Sequence, residues 1–121
     1  MLASIIIPCF NEKDTILEIL KKIKKQKIKT QVIVVDDFST DGTRKLLKKN
    51  SKKFGIKLIF HKKNFGKGAA IRTAKKFIKG KIVIIQDADL EYYPEDYKKM
   101  IKPITDINSK NKINLKKKLN L

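Results

Sequence analysis

Four short apolar runs rich in β-branched residues alternate with longer segments of helical periodicity, and this alternation constrains the fold more than any other feature. The runs cover residues 3–7, 32–35, 56–60 and 81–86. Because the intervening segments are long enough to cross over a sheet, the order β-α-β-α-β-α-β predicts an α/β fold. We expect a Rossmann-like parallel sheet with right-handed connections and helices on both faces. The simplest strand order is 3-2-1-4, which opens a crevice between the first and fourth strands.

Proline, glycine and capping residues set the expected limits of these elements. Pairing of the first strand should stop at Pro8, because proline cannot donate to the ladder. The first helix is expected to open at residues 11–14, and the second to run from residues 39–43 to about Phe54. The third helix should end at Gly80. Its buried face is expected to consist of Ala70, Ile71, Ala74, Phe77 and Ile78.

The chain divides into one domain and a tail. Residues 1–105 are predicted to form the domain, which closes with a short helix from Pro94 to about Ile101. Residues 107–121 contain no acidic residue and consist mostly of Asn, Lys, Ile and Leu. Segment 106–121 is therefore expected to be a disordered, low-complexity basic tail.

Half of the twelve acidic residues follow three strands that are neighbours in the expected order. These residues are Glu12 after the first strand, Asp36 and Asp37 after the second, and Asp87, Asp89 and Glu91 after the fourth. Crowded carboxylates repel one another, and a divalent cation or the N–H groups of a ligand would relieve that cost. Their oxygens suit Mg²⁺ or Mn²⁺ better than zinc. An isolated Asp-x-Asp more often caps a helix, but convergence at one sheet edge favours a cation site.

The chain is strongly basic, with 30 Lys and Arg against 12 Asp and Glu and a net charge of +18. Such a balance is typical of proteins that bind nucleic acid, an anionic membrane surface or a phosphorylated ligand. Only Arg44 and Arg72 are arginines. Since base readers use arginine heavily, no specific nucleic-acid partner is expected. Compositional drift toward lysine is the other explanation of the charge.

A single cysteine, Cys9, excludes an internal disulfide and fits a reducing, cytoplasmic setting. No histidine partner is placed near Cys9, because His61 is the only histidine and follows the third strand. Cys9 is therefore predicted to be a small core residue. The sequence contains no apolar run of ~20 residues that could span a membrane.

Four segments in order resemble the family 2 glycosyltransferases of the GT-A fold. They are Ser4–Glu12 (SIIIPCFNE), Val34–Thr43 (VVDDFSTDGT), Asn64–Gly68 (NFGKG) and Gln86–Leu90 (QDADL). The similarity covers about residues 3–104 and is greatest to the polyprenyl-phosphate sugar synthases. It implies a hexosyltransferase that takes a sugar from a GDP- or UDP-sugar, with a polyprenyl phosphate as one acceptor class.

The resemblance also implies a role for individual residues. The donor-binding positions are Pro8, Phe10, Glu12, Val35, Asp37, Asp87 and Ala88. Among these, Asp37 would accept a hydrogen bond from the base. Asp87 and Asp89 would hold the diphosphate through Mg²⁺ or Mn²⁺, with Glu91 as a further ligand. Glu91 departs from the pattern of the related synthases, which often carry glutamine there.

The glycine-rich loop at residues 66–68 has two interpretations. It is not a Walker A loop, because no Ser or Thr follows Lys67. The glycines permit a tight entry into the third helix with exposed N–H groups, which favours anions, and Lys67 would then contact a phosphate of the donor. The alternative is a purely structural turn.

By the same resemblance, complete enzymes of this family are considerably longer than this chain. The acceptor site and any catalytic residue are expected in a C-terminal half that is not recognisable here, so we expect a truncated form that binds donor without turnover. A lipid acceptor implies peripheral association with the cytoplasmic face of the membrane. Two other functions stay open: a receiver-like Mg²⁺-binding domain and a basic nucleic-acid-binding module.

Overall fold

Four parallel strands form one sheet in the order β3-β2-β1-β4, which confirms the predicted topology. The computed structural model describes residues 2–89 and 94–97. The strands are β1 (Leu2–Cys9), β2 (Lys29–Asp36), β3 (Lys57–Phe60) and β4 (Ile82–Ile85). The helices are α1 (Ile16–Lys25), α2 (Thr43–Phe54) and α3 (Lys67–Lys75). A short 3-10 turn covers Pro94–Asp96.

Helices cover both faces of the sheet, because alternate residues of the central strand β1 are buried on opposite sides. Ile5 and Ile7 pack in one cluster with apolar residues of α1 and α2. Ile6 packs in a second cluster with Ala70 and Ala74 of α3. The sheet is thus buried between two layers, and the strand ends are where ligands approach such a sheet.

Pairing of β1 does not stop at Pro8, contrary to the prediction. Pro8 pairs in register with Val35, and Cys9 pairs with Asp36. The Ile6 carbonyl accepts a hydrogen bond from Gln86, on the β4 side of the strand. Two residues later, the missing N–H of Pro8 faces the same side, where β4 has already ended. The proline therefore interrupts no bond to β2.

Helix α3 ends at Lys75, five residues before the predicted limit at Gly80. Phe77 does not lie on a buried helical face and is 36% exposed. The amide of Gln31 binds the chain after the helix: Nε2 donates to the Phe77 carbonyl at 2.6 Å, and Oε1 accepts from Lys79 N–H at 2.9 Å. These bonds replace those that further helical turns would have made.

Gly80 has a packing role rather than a capping role. A Cβ at this position would lie 2.7 Å from both the Leu2 carbonyl oxygen and the Ser4 nitrogen of β1. Only glycine allows the backbone to come this close. The predicted helix from Pro94 to Ile101 is described only over residues 94–97, and the predicted tail at 106–121 lies outside the described residues.

Candidate functional site

The loops after β1, β2 and β4 meet around a cleft of about 180 Å³ at the carboxyl edge of the sheet. Eight of the predicted site residues line it: Pro8, Phe10, Glu12, Asp37, Lys67, Asp87, Ala88 and Asp89. Cys9 and Ala70 complete the lining. Val35 does not reach the cleft, because it is fully buried in the cluster beneath α3. Glu91 lies outside the described residues.

The loops after β1 and β2 are joined by hydrogen bonds in both directions. Asn11 N–H donates to Ser39 Oγ at 2.8 Å, and Thr40 N–H donates to Asn11 Oδ1 at 2.8 Å. Asn11 has a φ of 52° and Phe38 a φ of 66°, both in the left-handed region. Asparagine tolerates this region but phenylalanine rarely adopts it, so the surrounding bonds hold strained backbone in the loop after β2.

The turn after β4 is held from two sides. The Thr15 hydroxyl donates to the Ala88 carbonyl oxygen, which ties the turn to the start of α1. Gln86 is buried, and its Nε2 donates to the Asp87 carbonyl oxygen at 3.0 Å. The Tyr97 hydroxyl in turn donates to Gln86 Oε1. The backbone that carries Asp87 and Asp89 is therefore fixed before any ligand arrives.

Asp37 is 4% exposed and anchors the loop that enters α3. Its Oδ1 accepts from His61 Nδ1 at 2.9 Å and from Phe65 N–H at 2.8 Å, and its Oδ2 accepts from Gly66 N–H at 2.8 Å. Burial alone would raise the pKa of this carboxyl, but the hydrogen bonds from His61 and the two backbone amides outweigh it and lower the pKa. Asp37 is thus an ion at neutral pH.

His61 is a site residue that the sequence analysis missed. Its Nδ1 faces the ionised Asp37, so Nδ1 carries a proton, and Nε2 lies 2.8 Å from Thr73 Oγ1 on α3. The contact between His61 and Asp37 could have been predicted from the strand order. Because Asp36 pairs with Phe60 across the parallel strands, the next residues, Asp37 and His61, must be neighbours.

Lys67 begins α3 and contacts Asp87. Its Nζ lies 2.6 Å from Asp87 Oδ1, in a pair whose side chains are 57% and 22% exposed. Asp87 can therefore hold a cationic group. Among residues 2–89 and 94–97, no cluster of three or more His, Cys, Asp or Glu side chains stands ready to bind a metal. Asp87 and Asp89 nevertheless line one cleft with hard oxygen donors, which fits Mg²⁺ or Mn²⁺.

Asp36 shares the sheet edge but not the cleft. It is fully buried, accepts from Ser39 N–H at 3.0 Å, and lies 3.0 Å from Arg44 Nε.

The buried Cys9 is a core residue, as predicted. Burial, with the nearby charge of Asp36, raises the pKa of its thiol, so Cys9 stays protonated.

Comparison with known proteins identifies the family. The family model described as glycosyl transferase family 2 matches residues 4–111. The chain belongs to this family. It is 33% identical over 106 residues to a dolichol-phosphate mannosyltransferase of Pyrococcus furiosus, covering 86% of this chain and 30% of that protein. The chain spans less than half the length of the curated relatives it matches first.

Solved glycosyltransferase structures share the fold. A mannosyltransferase from Pyrobaculum calidifontis, in complex with GDP-Man and Mn²⁺, superimposes with a TM-score of 0.77 at 28% identity, covering 93% of this chain and 37% of that one. S. aureus TarS residues 1–349, in complex with UDP-GlcNAc, gives a TM-score of 0.75 at 31% identity over 88% of this chain and 32% of that one. The sheet order confirms the N-terminal half of the GT-A fold.

Within the described residues, every helix is too short or too polar to span a bilayer.

Proposed function

We propose that this chain is the donor-binding part of a glycosyltransferase that takes a sugar from a nucleoside diphosphate sugar. One observation carries the proposal: a single cleft gathers Glu12, Asp37, Asp87 and Asp89 from the ends of three adjacent strands. Family membership supports this reaction class, and the acidic residues of the cleft support this location for the donor. At about 180 Å³, the cleft would hold only part of a ligand of this size.

The base of the donor would lie against Asp37, with Pro8 and Phe10 along the cleft wall. Asp37 is ionised and held by three hydrogen bonds within the described residues, so its position is set before the base binds. An ionised carboxylate makes a charge-assisted hydrogen bond with a base N–H. Orientation of this kind reduces the entropy lost on binding.

The diphosphate would lie between Lys67 and the pair Asp87 and Asp89, which would hold Mg²⁺ or Mn²⁺. A bound divalent ion neutralises charge that develops on the departing nucleoside diphosphate. The ammonium of Lys67 already lies beside Asp87, where a diphosphate oxygen would also be within its reach. The Mn²⁺ complex of the P. calidifontis mannosyltransferase supports this choice of metal.

A polyprenyl phosphate is the proposed acceptor class. The similarity to a dolichol-phosphate mannosyltransferase supports it, and a phosphate acceptor is already an anion at neutral pH, so its attack needs little general base. The net charge of +18 would also favour peripheral contact with an anionic cytoplasmic membrane face. The acceptor contacts are expected outside the described residues.

Titration calorimetry with UDP-GlcNAc and GDP-mannose, each with and without Mn²⁺, tests the proposal. We expect Mn²⁺-dependent binding of at least one donor that is lost in Asp89→Ala. Asp14→Ala is the matched control, because Asp14 is an exposed acid that does not line the cleft. Binding that ignores Mn²⁺ and survives Asp89→Ala would contradict the assignment of the metal and diphosphate to this cleft.

A further inference from the structure

We propose that Asp37 selects a donor whose base offers a single N–H, and that this chain therefore prefers a uridine nucleotide to a guanosine nucleotide. The inference rests on the proposed function, since it assumes that the base contacts Asp37. Family membership does not settle the choice, because solved relatives include complexes with UDP-GlcNAc and with GDP-Man. The choice between the two nucleotides depends instead on how many hydrogen-bond acceptor positions are left on Asp37.

An ionised carboxylate has about four acceptor positions, two on each oxygen. On Asp37, Oδ1 already accepts from His61 Nδ1–H and Phe65 N–H, and Oδ2 accepts from Gly66 N–H. Within the described residues, one position therefore remains for a ligand, and it is on Oδ2. Asp37 can accept one more hydrogen bond but cannot present both oxygens.

The Watson–Crick edges of the two bases differ in the number of N–H groups. Uracil has one N–H, at N3, between two carbonyl groups. Guanine has N1–H beside the amino group at N2, and a carboxylate recognises this pair with one oxygen for each N–H. With Oδ1 of Asp37 filled, the second N–H of guanine would lose its water without gaining a partner there, which is costly in a buried contact.

Asp37 cannot turn to free Oδ1 without leaving several donors unsatisfied. His61 is 9% exposed, and its other nitrogen is held by Thr73 on α3. The His61 ring also packs edge-on against Phe65, with the centroids 5.5 Å apart. The two backbone donors belong to the loop that enters α3, and Lys67 joins this helix to Asp87. His61 is therefore a positioning residue: it fills one acceptor position and fixes the other oxygen.

Titration of the full chain with UDP and with GDP, both in the presence of Mn²⁺, tests the inference without any substitution. We expect UDP to bind about tenfold tighter than GDP, or more. GDP binding that is as tight as UDP binding, or tighter, would overturn the inference and leave the proposed function standing. Failure of both nucleotides to bind would contradict the proposed function, and this inference with it.

Variants of His61 test the physical reason for the preference. His61→Leu removes a donor from Oδ1 and should reduce the preference for UDP to about threefold or less. His61→Asn supplies a new side-chain N–H in place of Nδ1–H and should restore part of the preference. Lys63→Met changes an exposed residue outside the cleft and should retain the preference. An unchanged preference in a folded His61→Leu variant would show that acceptor counting at Asp37 is not its cause.

Discussion

Lys67 Nζ lies 2.6 Å from Asp87 Oδ1, so the first residue of α3 places a positive charge beside one of the two proposed metal ligands. The ammonium and a divalent ion would compete for the same carboxylate. This relationship links the glycine-rich loop to the acidic turn after β4, which are 20 residues apart in the sequence.

Lys67→Met should raise the affinity for Mn²⁺ in the absence of nucleotide, because it removes the competing ammonium. The pair is partly exposed, so the gain should be no more than about fivefold. The same variant should bind UDP or GDP more weakly, since a cation near the diphosphate is lost. Electron paramagnetic resonance of free Mn²⁺ measures the first effect, and Lys63→Met, an exposed lysine outside the cleft, is the control. Equal Mn²⁺ affinity in the wild type and Lys67→Met would rule out the competition.

Asp37→Asn should destabilise the fold even without a ligand. In the wild type, His61, Phe65 and Gly66 all donate hydrogen bonds to this carboxylate. The asparagine amide keeps one acceptor oxygen, but its NH₂ group would face one or more of these donors. We expect a loss of about 1–3 kcal/mol in the free energy of unfolding, measured by urea denaturation. Asp14→Asn, at an exposed site, should change it by less than about 0.5 kcal/mol.

The lowered pKa of Asp37 makes part of the stability depend on pH. In the unfolded chain this carboxyl titrates near its ordinary value of 3.8, and in the folded chain below it. Between the folded pKa and 3.8, the unfolded state binds more protons than the folded state. The contribution of Asp37 to stability is therefore complete above 3.8 and is lost as the pH falls through the lower, folded pKa. The difference in unfolding free energy between the wild type and Asp37→Asn should be smaller at about pH 2.5 than at about pH 5. A difference that grows on acidification would contradict the assignment.

Gly80→Ala should be among the most damaging single substitutions in the described residues. The added methyl group would lie 2.7 Å from backbone atoms of Leu2 and Ser4, which cannot move without disturbing β1. We expect a loss of at least about 1–3 kcal/mol in unfolding free energy. Gly68→Ala is the control: its nearest neighbour is the flexible end of Arg72 at 3.3 Å, and alanine favours the helix. Similar stabilities for the two variants would refute the packing argument.

The sequence was sufficient to predict the strand order and to bring Glu12, Asp37, Asp87 and Asp89 to one edge of the sheet, because these depend on local periodicity and on parallel connections. It was not sufficient for the end of α3. That limit depends on Gln31, which lies 46 residues before its partner Phe77. A helical pattern read along the chain carries no information about such a contact.

The error at Pro8 and the omission of His61 have a common cause. Whether a proline ends strand pairing depends on which neighbouring strand its nitrogen faces. Predicting the contact of His61 with Asp37 depends on the register between β2 and β3. Both follow once the sheet order is combined with the pairing rules of parallel strands. Neither can be found from composition or from motifs alone.

Paramagnetic broadening of backbone amide signals by Mn²⁺ in the presence of UDP tests the location of the site most directly. Strand β1 has eight residues and is roughly 26 Å long, so the two ends of the sheet are well separated from each other. We predict strong broadening for the amides of Asn11, Gly66 and Ala88 around the cleft, and little for Thr30 and Gln31 at the amino ends of the strands. Broadening concentrated at the amino ends, or spread over the lysines of α1 and α2, would contradict the account.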